Sequence, residues 1–225
     1  MTDFVFVHGA WHGGWGFADM ARRLRAAGHV GWRPTLTGLG ERLHLAAAPV
    51  NLGTHVEDIV RVLQCEELHD VVLCAHSYGG MVAAGVADRC AERLKALVFL
   101  DAYVPGDGDS CWSLAGDFYR QIFIDGARLD GRSTAPPKFL KEREPRFEAH
   151  PMASLTQALA LRNGGVNSVA RRGMAWARRH EHSPFTQTYE RLRQDPQWEV
   201  EAMDGGHNLM GELPEQTLAF LLRFA

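Results

Sequence analysis

Cysteine is scarce and scattered in this chain: four residues in 225, at Cys65, Cys74, Cys90 and Cys111, with no CxxC spacing among them. They stand singly, where a reduced thiol behaves as a small hydrophobe, so neither a disulfide framework nor a cysteine zinc cluster is expected to organise the fold. Long hydrophobic runs are missing too. None approaches the ~20 residues that cross a bilayer, which argues against a membrane span. Charge of one sign is also lacking: a formal net charge of -3 leaves no basic excess to attract nucleic acid. The opening run Met1-Thr2-Asp3-Phe4-Val5-Phe6-Val7 has neither the basic start nor the long apolar stretch of a secretory signal, so a cytoplasmic location is expected. Internal repeats, coiled-coil heptads and low-complexity tracts are absent as well.

What is present is a hydrophobic fraction of 46%, which suits one core, and a single domain over residues 1–225 is the expectation. Short β-type runs alternate with longer amphipathic stretches, the order of a mostly parallel sheet flanked by helices. Strands are expected at Phe4–Val7, His69–Cys74, Ala96–Leu100, Gly173–Ala177 and Trp198–Met203, with a less regular one near Gly31–Arg33. Helices are expected over Gly16–Ala27, Thr54–Leu63, Gly79–Arg89, Phe185–Gln194 and Pro214–Phe224. Thr54, with Glu57 three residues on, has the spacing of a capping box. Between about 105 and 165, glycines at 106, 108, 116, 126 and 131 and the run Ala135-Pro136-Pro137 interrupt any long element. A structureless loop of that length is unusual inside a compact domain, so short helices forming a lid are expected, inserted after the third core strand and following the serine-bearing turn described next.

The segment Val71-Val72-Leu73-Cys74-Ala75-His76-Ser77-Tyr78-Gly79-Gly80-Met81-Val82 reads as an apolar strand, a tight turn holding one serine, and a helix. That is the layout of a nucleophile elbow. The turn strains the serine backbone and requires small residues two places either side, which Ala75 and Gly79 supply. Ser77 would then stand above the sheet with a helix amino terminus beneath it, where developing negative charge is favoured. A helix N-cap serine is the plainer alternative. The first strand ends in His8-Gly9-Ala10-Trp11-His12-Gly13-Gly14-Trp15, a glycine-rich loop able to turn backbone amides toward the same point. Acyl transfer needs two such donors, and the amides of Tyr78 and Ala10 are the candidates.

Near the carboxyl end, Asp204-Gly205-Gly206-His207-Asn208 follows the last strand as a loop, the place where such a fold carries its general base. The acid partner is expected on the loop after the preceding strand, Arg178-Arg179-His180-Glu181-His182-Ser183-Pro184, whose only carboxylate is Glu181. Asp101, at the end of Leu97-Val98-Phe99-Leu100, is the alternative acid.

On these residues the chain resembles the methyl esterase and hydroxynitrile lyase branch of the α/β-hydrolases, together with its bacterial carboxylesterase members. The resemblance rests on the His8 to Trp15 run, on Pro34-Thr35-Leu36-Thr37-Gly38-Leu39-Gly40-Glu41-Arg42, on Ala75 to Gly80, and on Phe99-Leu100-Asp101-Ala102-Tyr103-Val104-Pro105. It implies the α/β-hydrolase fold, a serine esterase with Ser77 and His207 catalytic, and oxyanion amides at Ala10 and Tyr78. Lyases of that branch carry threonine after the first-strand histidine and lysine after the catalytic one, where this chain has Gly9 and Asn208. The resemblance therefore implies hydrolysis of a small, hydrophobic carboxylic ester, with no cofactor. The aspartate usual in the acid loop is replaced here by the run His180-Glu181-His182.

Trp11, Trp112, Phe118 and Phe123 are expected to wall an apolar substrate pocket, with Tyr119 and Ile122 nearby. Two rival readings remain open at this level. One is a hydrolase-fold protein that binds a small hydrophobic ligand without turnover. The other is a metal hydrolase using His180, Glu181 and His182, for which no third histidine has a zinc spacing, so no metal is expected. A homodimer is compatible with all of these.

Overall fold

The computed structural model describes residues 1–225. Its strands are β1 (Asp3–Val7), β2 (Val30–Trp32), β3 (Val71–Ser77), β4 (Leu94–Ala102), β5 (Ser133–Thr134), β6 (His150–Pro151), β7 (Arg172–Ala177) and β8 (Trp198–Met203). The helices are α1 (Ala18–Ala26), α2 (Leu52–Cys65), α3 (Gly79–Cys90), α4 (Cys111–Leu114), α5 (Asp117–Gly126), α6 (Lys138–Arg143), α7 (Met152–Thr156), α8 (Thr186–Leu192), α9 (Leu209–Glu212) and α10 (Pro214–Leu222). Six strands form one sheet in the order β2-β1-β3-β4-β7-β8, and every pairing within it is parallel.

Successive side chains on a strand point to opposite faces, and here both faces are covered. Phe4 and Phe6 of β1 join Val72 and Cys74 of β3 in a cluster with Met20 and Leu24 of α1 and Phe220 of α10. Val5 and Val7 point the other way, into a larger cluster with Val56 and Ile59 of α2 and Met81 and Val82 of α3. The strands thus read as unbroken apolar runs because each is sandwiched between two helical layers.

Two strands carry a glycine where packing requires one. A Cβ at Gly31 would lie 2.9 Å from the Ala21 Cα, so β2 lets α1 approach closely. A Cβ at Gly173 would lie 2.2 Å from the Phe224 ring, so β7 gives up a side chain to seat an aromatic. The start of α2 differs from the expectation. Asn51, not Thr54, is the N-cap; its side chain accepts from the Thr54 amide and the Thr54 hydroxyl returns to the Asn51 amide.

The insertion over residues 105–165 follows β4, the fourth strand once β2 is counted, and consists of α4 to α7 with an antiparallel ribbon of β5 and β6. Its far end is clamped to α3, where Asp88 accepts hydrogen bonds from the amides of Arg162, Asn163 and Gly165. From β1 the chain first adds β2 on one side and then β3 on the other, so a crevice opens at the carboxyl ends of β1 and β3, the place where open α/β sheets bind ligands. No helix is long and apolar enough to cross a membrane.

Candidate active site

Ser77 is the last residue of β3 and has a φ of +54°, in the left-handed region. The strain is held by close packing on both sides of the turn. A Cβ on Gly79 would lie 2.4 Å from the Val7 carbonyl oxygen, and one on Gly80 would lie 1.9 Å from the Tyr103 carbonyl oxygen. Glycine at both places lets α3 press its first turn against the ends of β1 and β4, which lifts the serine above the sheet. Gly9 is equally constrained, since a Cβ there would come within 2.9 Å of the Ser77 Cβ. Ser77 borders a cavity of about 860 Å³ roofed by the insertion.

Ala10 and Tyr78 border the same cavity, and their amides donate to no protein group. The loop carrying Ala10 is braced from behind. Nε2 of the buried His8 accepts from the Leu36 amide at 3.0 Å, which leaves its proton on Nδ1 to be donated to the Gly9 carbonyl at 2.9 Å. Burial pulls His8 down to about 3, against the opposing Gly9 bond, so the ring is neutral. Trp11, at φ +61°, gives its amide to His150 Nδ1 at 3.3 Å and its indole N–H to the Thr134 carbonyl at 2.8 Å, tying the loop to the insertion. Below the elbow, the Tyr78 hydroxyl donates to His55 Nδ1 at 2.8 Å, and His55 Nε2 donates to the Thr37 carbonyl at 3.0 Å. Burial lowers His55 to about 4 and also holds His150 well below the ordinary imidazole value.

His207 stands on the loop after β8, lining the cavity with its side chain 31% exposed. Its Nδ1 lies 2.6 Å from Asp101 Oδ2, and its carbonyl oxygen accepts from His76 Nε2 at 3.0 Å. Asp101 owes its position to a bulge. His76 pairs with Leu100 and Ser77 with Ala102, which leaves Asp101 as the extra residue on β4, at φ +43°. A bulge of this kind re-aims a side chain. The carboxylate is fully buried, with Oδ1 accepting from the Ala177 amide at 3.1 Å and Oδ2 accepting a second imidazole, His180 Nδ1, at 2.7 Å. Burial opposes its ionisation, but the bonds from His180 and His207 outweigh that and hold Asp101 at about 2. Ser77 and His207 face the same cavity without a hydrogen bond between them, the looser spacing common in unliganded sites.

The expectation for Glu181 is therefore corrected. Its side chain is exposed at the cavity rim and reaches no hydrogen-bond partner, while the preceding residue of the loop, His180, turns inward to Asp101. The metal alternative loses its geometry for the same reason, since His182 is exposed and stacks on Phe118 at 4.3 Å. Of the expected pocket walls, Trp11, Phe118 and Phe123 border the cavity. Trp112 does not; it packs on the core under the insertion, with its carbonyl accepting from Arg120 Nε at 3.0 Å. Sequence reasoning missed the inward role of His180 and the bracing by His55 and His150. Only the clustering of histidines hinted at either.

Fold, strained serine, buried carboxylate and paired histidine define an α/β-hydrolase, and the chain belongs to the alpha/beta hydrolase family, whose pattern matches residues 4–220. It is similar to the carbendazim hydrolyzing esterase of Nocardioides sp. (strain SG-4G), at 38% identity over 233 residues and 96% of each chain. It is 26% identical over 255 residues to the putative methylesterase 19 of Arabidopsis thaliana, covering 99% of this chain and 96% of that one. Among solved structures, an extracellular alpha/beta-hydrolase from a Paenibacillus species superposes with a TM-score of 0.87 at 20% identity, over 100% of this chain and 99% of that one. The last likeness is one of fold. The methylesterase-like branch with bacterial esterase members is thus the setting of this chain.

Proposed function

We propose that the protein is a serine carboxylesterase acting on small hydrophobic esters through an acyl-enzyme, with Ser77 as nucleophile, His207 as general base and Asp101 as the acid that orients it. The observation that carries this reading is the 2.6 Å contact between His207 Nδ1 and the buried Asp101 carboxylate, beside a strained serine. With Asp101 ionised, Nδ1 must donate, so Nε2 is left as the base. The Ser77 oxygen attacks the ester carbonyl while its proton passes to His207 Nε2. The resulting oxyanion takes hydrogen bonds from the Ala10 and Tyr78 amides, each of which contributes on the order of 10²-fold in rate. Collapse expels the alcohol, which receives the proton from His207; water then repeats the sequence and frees the carboxylic acid and the serine.

The aromatic walls given by Trp11, Phe118 and Phe123 favour an aromatic or aliphatic acyl group, and carbendazim is a candidate substrate because a relative 38% identical hydrolyses it. Four unpaired thiols suit a reducing, cytoplasmic setting. Turnover of p-nitrophenyl acetate, p-nitrophenyl butyrate and carbendazim by wild type and by Ser77→Ala tests the reading. The variant is expected to lose at least ~10³-fold in kcat. Wild-type protein inert toward all three, or an active Ser77→Ala, would overturn it.

A further inference from the structure

We propose that His180 and Tyr119 are positioning residues, a second hydrogen-bonded arm on Asp101 that limits the basicity of His207 and links the lid to the catalytic base. The proposal rests on the Ser77–His207–Asp101 reading and adds to it two groups from elsewhere in the chain. Asp101 Oδ2 serves both imidazoles: His207 Nδ1 at 2.6 Å and His180 Nδ1 at 2.7 Å. The two rings stack with centroids 4.3 Å apart and planes 27° from parallel. Because the carboxylate only accepts, His180 carries a proton on Nδ1, so its neutral form has Nε2 free to accept. The Tyr119 hydroxyl supplies that donor at 2.5 Å, from α5 of the insertion. The Asp101 oxygen thus joins two imidazole arms, His207 facing the cavity beside Ser77 and His180 hydrogen-bonded to the Tyr119 hydroxyl.

A carboxylate oxygen that shares its charge between two N–H groups stabilises an imidazolium on either arm less than one devoted to a single ring. Removing His180 returns the whole acceptor to His207 and makes its protonated form more favourable. Other groups around His207 leave this balance to Asp101 and His180. His76, from the elbow, and His12, from the first loop, are uncharged because burial lowers both, His12 to about 4. Glu212 of α9 is engaged by the Gly206 amide at 2.8 Å, and Arg179 faces Asp204 at 3.6 Å. Glu181 and His182 are exposed at the rim, and Tyr119 itself is uncharged, with burial pushing its hydroxyl above the usual range.

The test is the pH profile of p-nitrophenyl ester hydrolysis from pH 4.5 to 9 for wild type, His180→Phe, His180→Asn and Tyr119→Phe, with fluorophosphonate labelling of Ser77 in each. His180→Phe is expected to move the acid limb of kcat/KM upward by about half to one pH unit and to lower kcat ~10-fold with KM held within ~2-fold. His180→Asn, whose amide nitrogen can take the place of Nδ1, should return most of the shift. Tyr119→Phe should move the limb in the same direction by less. A His180→Phe protein that labels at Ser77 yet keeps the wild-type limb overturns this inference alone, as does a fall in kcat without a shift. If wild-type Ser77 takes no label, the esterase reading fails and this inference falls with it.

Discussion

Asp101 and His207 meet at 2.6 Å across 106 residues of sequence, and the contact exists because β4 carries one residue more than β3 at its carboxyl end. Without that bulge the side chain at 101 would follow the alternation of the strand and turn toward a helical layer. The carboxylate that faces the His207 imidazole thus lies on the strand next to Ser77 and not on the loop after β7. Asp101→Asn is expected to lower kcat by ~10³ to 10⁴-fold, because an amide favours the wrong tautomer of His207. Glu181→Gln should stay within ~2-fold. Steady-state kinetics of the two variants side by side decide between the carboxylates.

The space around Gly9 gives a second expectation. A methyl group there would sit 2.9 Å from the Ser77 Cβ, 3.2 Å from His76 Nδ1 and 3.4 Å from Ser77 Oγ. Gly9→Ala should displace the nucleophile and cost ~10 to 100-fold in kcat, since small misplacements at a reacting centre have effects of that size. Unchanged kcat would mean that the serine has room the packing does not show.

Tyr78 is named for its amide, but its side chain has a separate task. Tyr78→Phe leaves His55 Nδ1 without its donor in a fully buried setting and should cost ~1–3 kcal/mol of stability, while the backbone amide stays in place and kcat changes by no more than a few fold. Urea denaturation and kinetics on the same preparation separate the two effects.

The buried histidines make the fold acid-sensitive. His8 is lowered to about 3 and His55 to about 4, with His150 well below the ordinary value, each chiefly by burial. Above the unfolded value near 6.5 all are neutral in both states and cost nothing. Below it the unfolded chain takes up protons that the native chain refuses, so stability falls with pH until the folded values are reached, by at most ~1.4 kcal/mol per pH unit for each histidine. The depressed Asp101 acts in the same direction at lower pH, as its stabilisation is lost on falling toward about 2. Thermal melts at pH 7, 6 and 5 should show a steepening drop; a flat midpoint across that range would contradict the burial of neutral rings.

Much of this was legible in the sequence because it depends on local pattern. The elbow was readable from Ala75, Ser77, Gly79 and Gly80, where strand, turn and helix are consecutive, and the parallel sheet from its apolar runs. The sequence points to Glu181 because it places a loop but not the direction of each side chain within it, and a one-residue difference sends His180 inward instead. The bulge at Asp101 is a relation between two strands, which no single segment displays. Trp112 failed as a pocket wall for a similar reason: an aromatic in a lid sequence has two sides to face, the cavity or the core. The gap at Thr54 was smaller, since Asn51 stood three residues earlier with the same capping chemistry.

Activation of Ser77 by His207 and Asp101 makes this one serine selectively reactive toward electrophiles. The most direct measurement is peptide-mapped mass spectrometry after fluorophosphonate treatment at pH 7.5. A single adduct on Ser77, absent in Ser77→Ala, strongly slowed in Asp101→Asn and unchanged in Glu181→Gln, is the predicted result. No adduct on Ser77, or labelling that slows in Glu181→Gln and not in Asp101→Asn, would contradict the account.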